Sequence, residues 1–242
     1  MTASPRAGTN PSMYAAEAAL HESSVSSALV SIFRGKFCDA LLPGRGALHF
    51  AADEILYDVG DRNRVVFFVR KGFVKIGTLT PEGREVIYDI RKDGDVVGEL
   101  CACHTPRRDR AVALEPAEAI RVPYSEIVDA LRGNPDLLVK LLEIFCNCLA
   151  DAYDQITTLA SQDLPGRLVQ VLLGLASKIG RPAGEAVQIP AYLTQEEISQ
   201  MVGARRERVS TALNSLRRRG LLEYSSRGHL LLHVAALRDF AP

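Results

Sequence analysis

Short hydrophobic runs alternate with turn residues through the first half of the chain. The runs are rich in Val, Ile and Phe, and glycines recur between them at steps of twelve, eleven and eleven residues, at Gly60, Gly72, Gly83 and Gly94. Short strands at regular spacing are typical of an all-β sandwich or barrel. The pattern predicts an antiparallel β-roll with jelly-roll winding, with strands at residues 55–57, 65–71, 73–79, 85–90, 96–97 and 111–114.

The period of the hydrophobic residues becomes helical after Asn134. Apolar residues then recur at alternating steps of three and four, at Leu142, Phe145, Leu149, Ala152, Ile156 and Leu159. Because so narrow a stripe on a long helix is typical of a two-stranded coiled coil, we expect a homodimer. The alternative is a helix that packs only on its own domain. Asp163, directly before Leu164 and Pro165, is suited to cap a new helix and marks a domain boundary.

A third pattern occupies residues 193–224, where a short helix, a glycine turn and a longer helix are predicted in succession. Thr194 is suited to cap the first helix, and Gly203 permits the sharp turn after it. This is the pattern of a DNA-binding helix-turn-helix. Two apolar runs around the turn at residues 225–228 predict a β-hairpin after the second helix, which makes the unit a winged helix.

Positive charge is concentrated in the second of these helices. Six arginines and one glutamate lie between Ala204 and Gly220, although the whole chain has 29 basic and 29 acidic residues. Because arginine can read guanine and a carboxylate can read cytosine, we expect Arg206 and Glu207 at base edges. The alternative is a charged helix that only faces solvent. The other predicted DNA contacts, to phosphates or in support, are Thr194, Arg205, Ser210, Thr211 and Arg227.

Length and composition agree with more than one domain, since the chain has 242 residues and is 47% hydrophobic. We predict a mobile N-terminal arm at residues 1–24, a β-roll sensor domain at 25–133, a dimerisation helix at 134–162 and a DNA-binding domain at 163–242. No hydrophobic run approaches the roughly 18 residues of a membrane span, and no secretion signal is recognisable. We therefore expect a cytoplasmic protein without a membrane partner, whose five cysteines are reduced thiols.

Together these features resemble the Crp/Fnr family of bacterial transcription regulators over residues 41–240. The most specific match is the helix-turn-helix, in Gly203 and the Arg206-Glu207 pair, although Thr211 stands where other activators of the family have a second arginine. The resemblance implies an α+β fold, in which a jelly-roll β-roll like those that bind cyclic nucleotides precedes a long dimerisation helix and a C-terminal winged helix-turn-helix. It implies a homodimeric regulator that binds a palindromic site in double-stranded DNA and contacts RNA polymerase. An effector would be sensed in the β-roll and relayed through the dimer helix.

The resemblance also implies where an effector binds. In members that bind cyclic AMP, a Gly-Glu-Leu tripeptide holds the ribose and a later Arg-Ser pair forms part of the phosphate site. Here the tripeptide is Gly98, Glu99 and Leu100, Arg107 takes the arginine position, and Arg108 replaces the serine. Arg107 can pair with a phosphate, while Arg108 either strengthens an anionic site or obstructs it. A cyclic nucleotide, another small anion and no ligand at all stay open, and without a ligand Glu99 is a surface carboxylate paired with Arg107.

Cysteines beside the tripeptide raise the alternative of a regulator that senses redox state or a metal. The haem-containing members of the family carry a ligand histidine where His104 stands, but their haem cysteine falls on Ala102 in this chain. Donor types suited to haem, an iron–sulfur cluster or zinc are offered by Cys101, Cys103, His104 and Cys148, with Cys38 as a further candidate.

Two further classes of function compete with regulation at DNA. A thiol-dependent enzyme would use Cys103 with His104, but adjacent residues seldom give the geometry of a nucleophile and its base, so we expect no enzyme. A ligand-binding module would use the C-terminal domain for protein contacts. A steep fall of affinity for duplex DNA with salt would separate regulation at DNA from that class.

Overall fold

A computed structural model describes residues 42, 44–103, 105–133, 135–191 and 193–240. The predicted N-terminal arm at residues 1–24 lies outside the described residues.

Eight strands in the first part of the chain form two antiparallel sheets of four strands. The strands are β1 (Leu48–Phe50), β2 (Ile55–Tyr57), β3 (Val65–Lys71), β4 (Val74–Leu79), β5 (Glu85–Arg91), β6 (Val96–Val97), β7 (Arg110–Ala113) and β8 (Ala117–Pro123). One sheet has the order β1-β8-β3-β6 and the other has the order β2-β7-β4-β5. Inward-facing residues of both sheets, among them Phe67 and Val74, share one hydrophobic core. The antiparallel β-roll predicted from the sequence is confirmed.

The regularly spaced glycines adopt the conformation that the turns require. Gly60, Gly72, Gly83 and Gly94 all have positive φ, which glycine tolerates better than other residues. At Gly72 a Cβ would also lie 2.8 Å from the carbonyl oxygen of Pro116. The chain therefore needs glycine at this turn, and β4 begins two residues later at Val74, one residue later than the pattern predicts.

Three helices follow the β-roll. These are α1 (Tyr124–Arg132), α2 (Pro135–Ser161) and α3 (Leu164–Ile179). The carboxylate of Asp163 accepts a hydrogen bond from the backbone N–H of Gly166 at 3.0 Å, and Pro165 lies in the first turn. The cap predicted at Asp163 is confirmed, and it separates α2 from α3. Among the described residues, no helix is both long enough and apolar enough to cross a bilayer.

The C-terminal part of the chain is a winged helix. Its further elements are β9 (Arg181–Ala183), β10 (Ala186–Gln188), α4 (Gln195–Val202), α5 (Arg206–Arg218), β11 (Leu222–Tyr224), β12 (Leu230–Leu232) and α6 (Val234–Phe240). The four strands form one sheet in the order β11-β12-β10-β9. Buried residues of α3, α4 and α5, such as Leu172, Ile198 and Leu213, form the core beneath it. The sequence pattern predicted the β11–β12 hairpin but neither β9–β10 nor α6.

Candidate functional site

The first helix of the helix-turn-helix is fixed at both ends by local hydrogen bonds and backbone geometry. The hydroxyl of Thr194 accepts from the backbone N–H of Glu197 at 3.1 Å, and the Glu197 carboxylate accepts from the N–H of Thr194 at 2.9 Å. This reciprocal capping box begins α4. Gly203 ends the helix in the left-handed conformation, with φ of 67°. The cap and the turn predicted at these residues are confirmed, while a DNA contact by Thr194 stays a prediction.

Helix α5 turns its apolar side inward and its arginines outward. Val209, Leu213 and Leu216 are buried against the rest of the winged helix. The predicted base-reading residues, Arg206 and Glu207, are both exposed in the first turn. The remaining predicted residues of this helix and its cap are Arg205 and Thr211, both exposed, and Ser210, which is half-buried.

The hydroxyl of Thr211 is already engaged within the helix. Its Oγ1 donates to the carbonyl oxygen of Glu207, one turn earlier, at 2.9 Å. A hydroxyl has one hydrogen to donate, so Thr211 in this conformation can only accept from a further partner. Phosphate oxygens are acceptors, whereas adenine and cytosine present amino donors in the major groove. The geometry therefore favours a base over a phosphate as the partner of Thr211.

Arg208 is an exposed arginine of the first turn of α5. It is one of the six arginines between Ala204 and Gly220 but was not among the predicted DNA contacts. It lies between Glu207 and the buried Val209, three residues before Thr211, so its side chain emerges at the edge of the exposed face. The helical spacing of three residues between Arg208 and Thr211 could have identified Arg208 from the sequence as a candidate DNA contact. A guanidinium in this position is suited to a phosphate beside the groove.

The hairpin after α5 carries Arg227 at its tip. The turn is closed by two backbone hydrogen bonds, from the N–H of Gly228 to the carbonyl of Ser225 at 2.9 Å and from the N–H of Ser225 to the carbonyl of His229 at 2.8 Å. Gly228 has φ of 81°, which this tight turn requires. Arg227 is exposed, as a phosphate contact from the wing needs.

In the β-roll, the tripeptide from Gly98 to Leu100 begins a short 3-10 helix, Glu99–Ala102. The Glu99 carboxylate lies 3.4 Å from Nη2 of Arg91 on β5, so its ion pair is with that residue and not with Arg107. Leu100 is 44% exposed. Glu99 is thus accessible to a ligand but is already held by a neighbouring strand.

Arg107 is 2% exposed, and its side chain is used inside the β-roll. Nη1 donates to the carbonyl of Gly98 at 3.1 Å, Nη2 donates to the carbonyl of Val65, and Nε donates to Asn63 at 3.4 Å. The guanidinium also lies 4.0 Å from the ring centroid of Tyr57. Every nitrogen of the guanidinium therefore has a partner within the protein.

The surroundings leave Arg107 little freedom to turn toward a ligand. A Cβ on Gly98 would lie 3.0 Å from Nη1 of Arg107 and 3.2 Å from the Tyr57 ring, so a larger residue here would force these groups to shift. The Tyr57 hydroxyl donates to the buried carboxylate of Asp109 at 2.7 Å. Burial and that carboxylate raise the pKa of Tyr57 well above its usual value, so the hydroxyl keeps its proton. Arg108, by contrast, is exposed.

The arginine that would meet a cyclic nucleotide is buried in this structure. The phosphate of such a ligand needs accessible N–H donors, whereas three of the five N–H groups of Arg107 are bound to Gly98, Val65 and Asn63, and the residue is 2% exposed. The exposed Arg108 lies next in sequence and could meet an anion only at the surface.

The structure gives a partial view of the proposed metal ligands. Cys101 is buried, and burial raises the pKa of its thiol, whereas Cys103 is exposed. The described residues contain no group of three or more His, Cys, Asp or Glu able to hold a metal ion. His104, Cys38 and the side chain of Cys148 lie outside what the structure describes, so the predicted metal site is untested.

Comparisons with known proteins agree with both halves of this description. The family described as "Cyclic nucleotide-binding domain" matches residues 47–134, and the family described as "Crp-like helix-turn-helix domain" matches residues 166–240. The chain is 32% identical over 188 residues to the CRP-like cAMP-activated global transcriptional regulator of Mycobacterium tuberculosis, a match that covers 77% of this chain and 81% of that protein. It is 29% identical over 181 residues to the global nitrogen regulator of a Synechocystis species, covering 74% and 80% of the two chains.

Solved structures show the same fold. The structure of FixK2 from Bradyrhizobium japonicum has a TM-score of 0.70 at 21% identity, covering 82% of this chain and 98% of that one. A mutant of CooA from Carboxydothermus hydrogenoformans has a TM-score of 0.67 at 24% identity, covering 82% and 88%.

Proposed function

Because this chain belongs to the Crp/Fnr family of transcription regulators, we propose that it binds a palindromic site in double-stranded DNA as a homodimer. The observation that carries the proposal is the exposed, arginine-rich first turn of α5, held by a buried apolar side. Such a helix suits the major groove. We further propose that the protein acts in the cytoplasm and contacts RNA polymerase.

The apolar side of α2 supports the homodimer. The large apolar residues left exposed along the described part of this helix are Leu138, Val139, Leu142, Phe145, Leu149, Tyr153, Ile156 and Leu159, each at least 45% exposed. Burying one such side chain completely contributes about 1.5–3 kcal/mol, so covering the stripe with a partner helix is strongly favourable. Two subunits joined along α2 would each present one α5 to the DNA.

The homodimer is tested by placing a charge in the stripe. Ile156 is 61% exposed on the single chain, and Ile156→Glu would put a carboxylate at a contact between the two helices. We expect this variant to sediment as a monomer at concentrations where the parent protein is a dimer. Thr157→Glu is the matched control, because it adds the same charge to an exposed position about 100° around α2 from Ile156, outside the three-and-four repeat of apolar residues. A dimeric Ile156→Glu protein would contradict the proposed interface.

Sequence recognition is assigned to the first turn of α5. We propose that Arg206 and Glu207 read base edges and that Arg205, Arg208 and Arg227 contact phosphates. Arg206→Ala should relax specificity at one base pair of each half-site, since a good arginine–guanine pair discriminates by about 1–3 kcal/mol. Arg227→Ala should instead weaken binding to all sequences alike and reduce the dependence on salt.

The experiment measures binding of each variant to a library of half-site sequences at several salt concentrations. Arg132→Ala is the control, because this exposed arginine pairs with Asp129 on α1, outside the winged helix. An equal loss for Arg206→Ala on every sequence would contradict its role at a base edge. Binding of the parent protein that is insensitive to both salt and sequence would overturn the proposed function itself.

For the effector, we propose that Arg107 supports the β-roll and that the protein responds to no cyclic nucleotide. The support for this proposal is the burial of Arg107 and the engagement of all three of its nitrogens. Titration with cyclic AMP and cyclic GMP should leave the affinity for DNA and the melting temperature unchanged, because a ligand shifts an equilibrium only if it prefers one state. A rise in DNA affinity with either nucleotide would refute this proposal without touching the assignment of α5.

A further inference from the structure

The winged helix of this chain is docked on one sheet of its own β-roll. Phe73, just before β4, and Ile90, on β5, are buried in the same hydrophobic cluster as the core residues of the winged helix. Helix α4 packs directly against β5. The edge strand of the sensor sheet is therefore also a docking surface for the DNA-binding domain.

Charged groups hold this contact at two places. At the first, Nζ of Lys75 on β4 lies 3.5 Å from the carboxylate of Glu197, which belongs to the capping box of α4, and 3.1 Å from that of Glu85 on β5. At the second, Nζ of Lys178 in the last turn of α3 pairs with the carboxylate of Asp89 on β5. The Lys75–Glu197 pair and the Lys178–Asp89 pair therefore join the β-roll to the winged helix.

The second pair continues toward the tripeptide of the candidate effector site. Arg91 stands between two carboxylates, with Nε 3.4 Å from Oδ2 of Asp89 and Nη2 3.4 Å from Oε1 of Glu99. A continuous row of four charges therefore runs from Glu99 through Arg91 and Asp89 to Lys178. The Arg91 side chain is 15% exposed and those of Asp89 and Lys178 are each 28% exposed, so water screens the row less than it screens a surface pair.

Asp89 is the member of the row that both sides share. Burial opposes its ionisation, but Arg91 and Lys178 hold the pKa of Asp89 below its usual value. The carboxylate is consequently ionised near neutral pH and divides its interactions between the two cations. If Glu99 is drawn away from Arg91, the guanidinium loses one anionic neighbour, its interaction with Asp89 strengthens, and the balance at Asp89 between Arg91 and Lys178 changes.

We propose that the ion pairs Glu99–Arg91–Asp89–Lys178 couple the turn at residues 98–100 to the docking of the DNA-binding domain within one subunit. This inference rests on the proposed function, in that the coupled output is the affinity for DNA. Any group that binds the half-buried Glu99 changes the ion pair between Asp89 and Lys178 on α3. The path lies within one chain and adds to any signal that passes through the dimer helix.

The experiment is a double-mutant cycle with Glu99→Gln and Lys178→Met, which remove the charge at each end of the row and keep the approximate size of the side chains. We expect each single variant to change the affinity for the DNA site about fivefold or more. The double variant should bind the DNA site with the same affinity as Lys178→Met alone, because without Lys178 these ion pairs no longer connect Glu99 to α3. If the changes in DNA affinity of the two single variants simply multiply in the double variant, the proposal is overturned.

A second readout separates this coupling from the proposed function. Hydrogen exchange at the amides of residues 177–180 reports the end of α3 directly, without DNA. Glu99→Gln should change that exchange in the parent background and leave it unchanged in Lys178→Met. If the parent protein failed to bind DNA, the proposed function would be wrong. Hydrogen exchange in the single and double variants would still show whether Glu99 and α3 are coupled.

The control for the cycle is Glu99→Gln combined with Arg132→Met. Arg132 is an exposed residue of α1 whose charge is paired locally with Asp129. The two substitutions should act independently in both readouts. If Glu99→Gln leaves DNA affinity and exchange unchanged, the row of ion pairs transmits nothing and the proposal is wrong.

Discussion

Replacing Arg107 by Met tests whether this side chain supports the β-roll or serves a ligand. The substitution keeps most of the apolar stem but removes the donors to the carbonyl groups of Gly98 and Val65. A buried carbonyl left without a partner costs about 1–3 kcal/mol, which applies to Val65. The Gly98 carbonyl keeps the backbone N–H of Cys101 at 3.2 Å, so the loss there is about 1 kcal/mol, and the lost contact with the Tyr57 ring adds about 1 kcal/mol more. Part of this loss is offset because a buried guanidinium no longer has to be desolvated. We expect a net loss of about 2–4 kcal/mol in the free energy of unfolding.

Thermal unfolding followed by circular dichroism measures this loss. For a chain of this size, the expected change lowers the melting temperature by roughly 5–15 °C. Arg108→Met is the matched control, since it removes the same group from the adjacent, exposed position and should change stability by less than about 0.5 kcal/mol. If Arg107→Met melts like the parent protein and abolishes a response to cyclic nucleotide, Arg107 is a ligand-binding residue and the reasoning fails.

Three further predictions concern single residues. Gly98→Ala should destabilise the protein by about 1–3 kcal/mol in urea titration, because Gly98 has φ of 88° and an added Cβ meets close neighbours; an unchanged midpoint would contradict the packing. Cys101 should react with iodoacetamide far more slowly than Cys103 at neutral pH, because burial shields its thiol and raises its pKa, and the two rates should converge on unfolding; mass spectrometry of the labelled peptides measures them. Thr211→Ala should weaken binding unequally across half-site sequences, because its hydroxyl is donated to Glu207; an equal loss on all sequences would indicate a phosphate contact instead.

The sequence predicted those parts of the fold that depend on local patterns. Runs rich in Val, Ile and Phe between glycine turns located six of the eight strands of the β-roll and missed β1 and β8. Residues with well-defined end preferences, such as Asp163, Thr194 and Gly203, located the helix ends. These patterns are informative because the interactions that stabilise turns and helix ends form between residues only a few positions apart. The short hairpin β9–β10 was missed because its strands contain a proline and, as β-branched residues, only Val187.

The docking of the winged helix could not be predicted in the same way. Lys75, Asp89 and Lys178 are charged residues on strands and a helix end, where such side chains usually face solvent. Their partners are far away in the sequence, and no periodicity relates an ion pair between β5 and α3. Phe73 could have suggested this docking from the sequence, because it is an apolar residue at a turn. In the structure it packs outside the β-roll core.

Exposure, more than residue type, separates the arginines that can meet DNA from those that hold the fold. Arg206 and Arg208 are exposed, whereas Arg107 is buried among carbonyl groups. A position in a family motif fixes where an arginine leaves the backbone, but the surrounding donors, acceptors and rings decide which way it turns. We therefore expect a ligand-binding role to transfer from relatives to this chain only where the guanidinium is accessible, as at the exposed Arg206 and not at the buried Arg107.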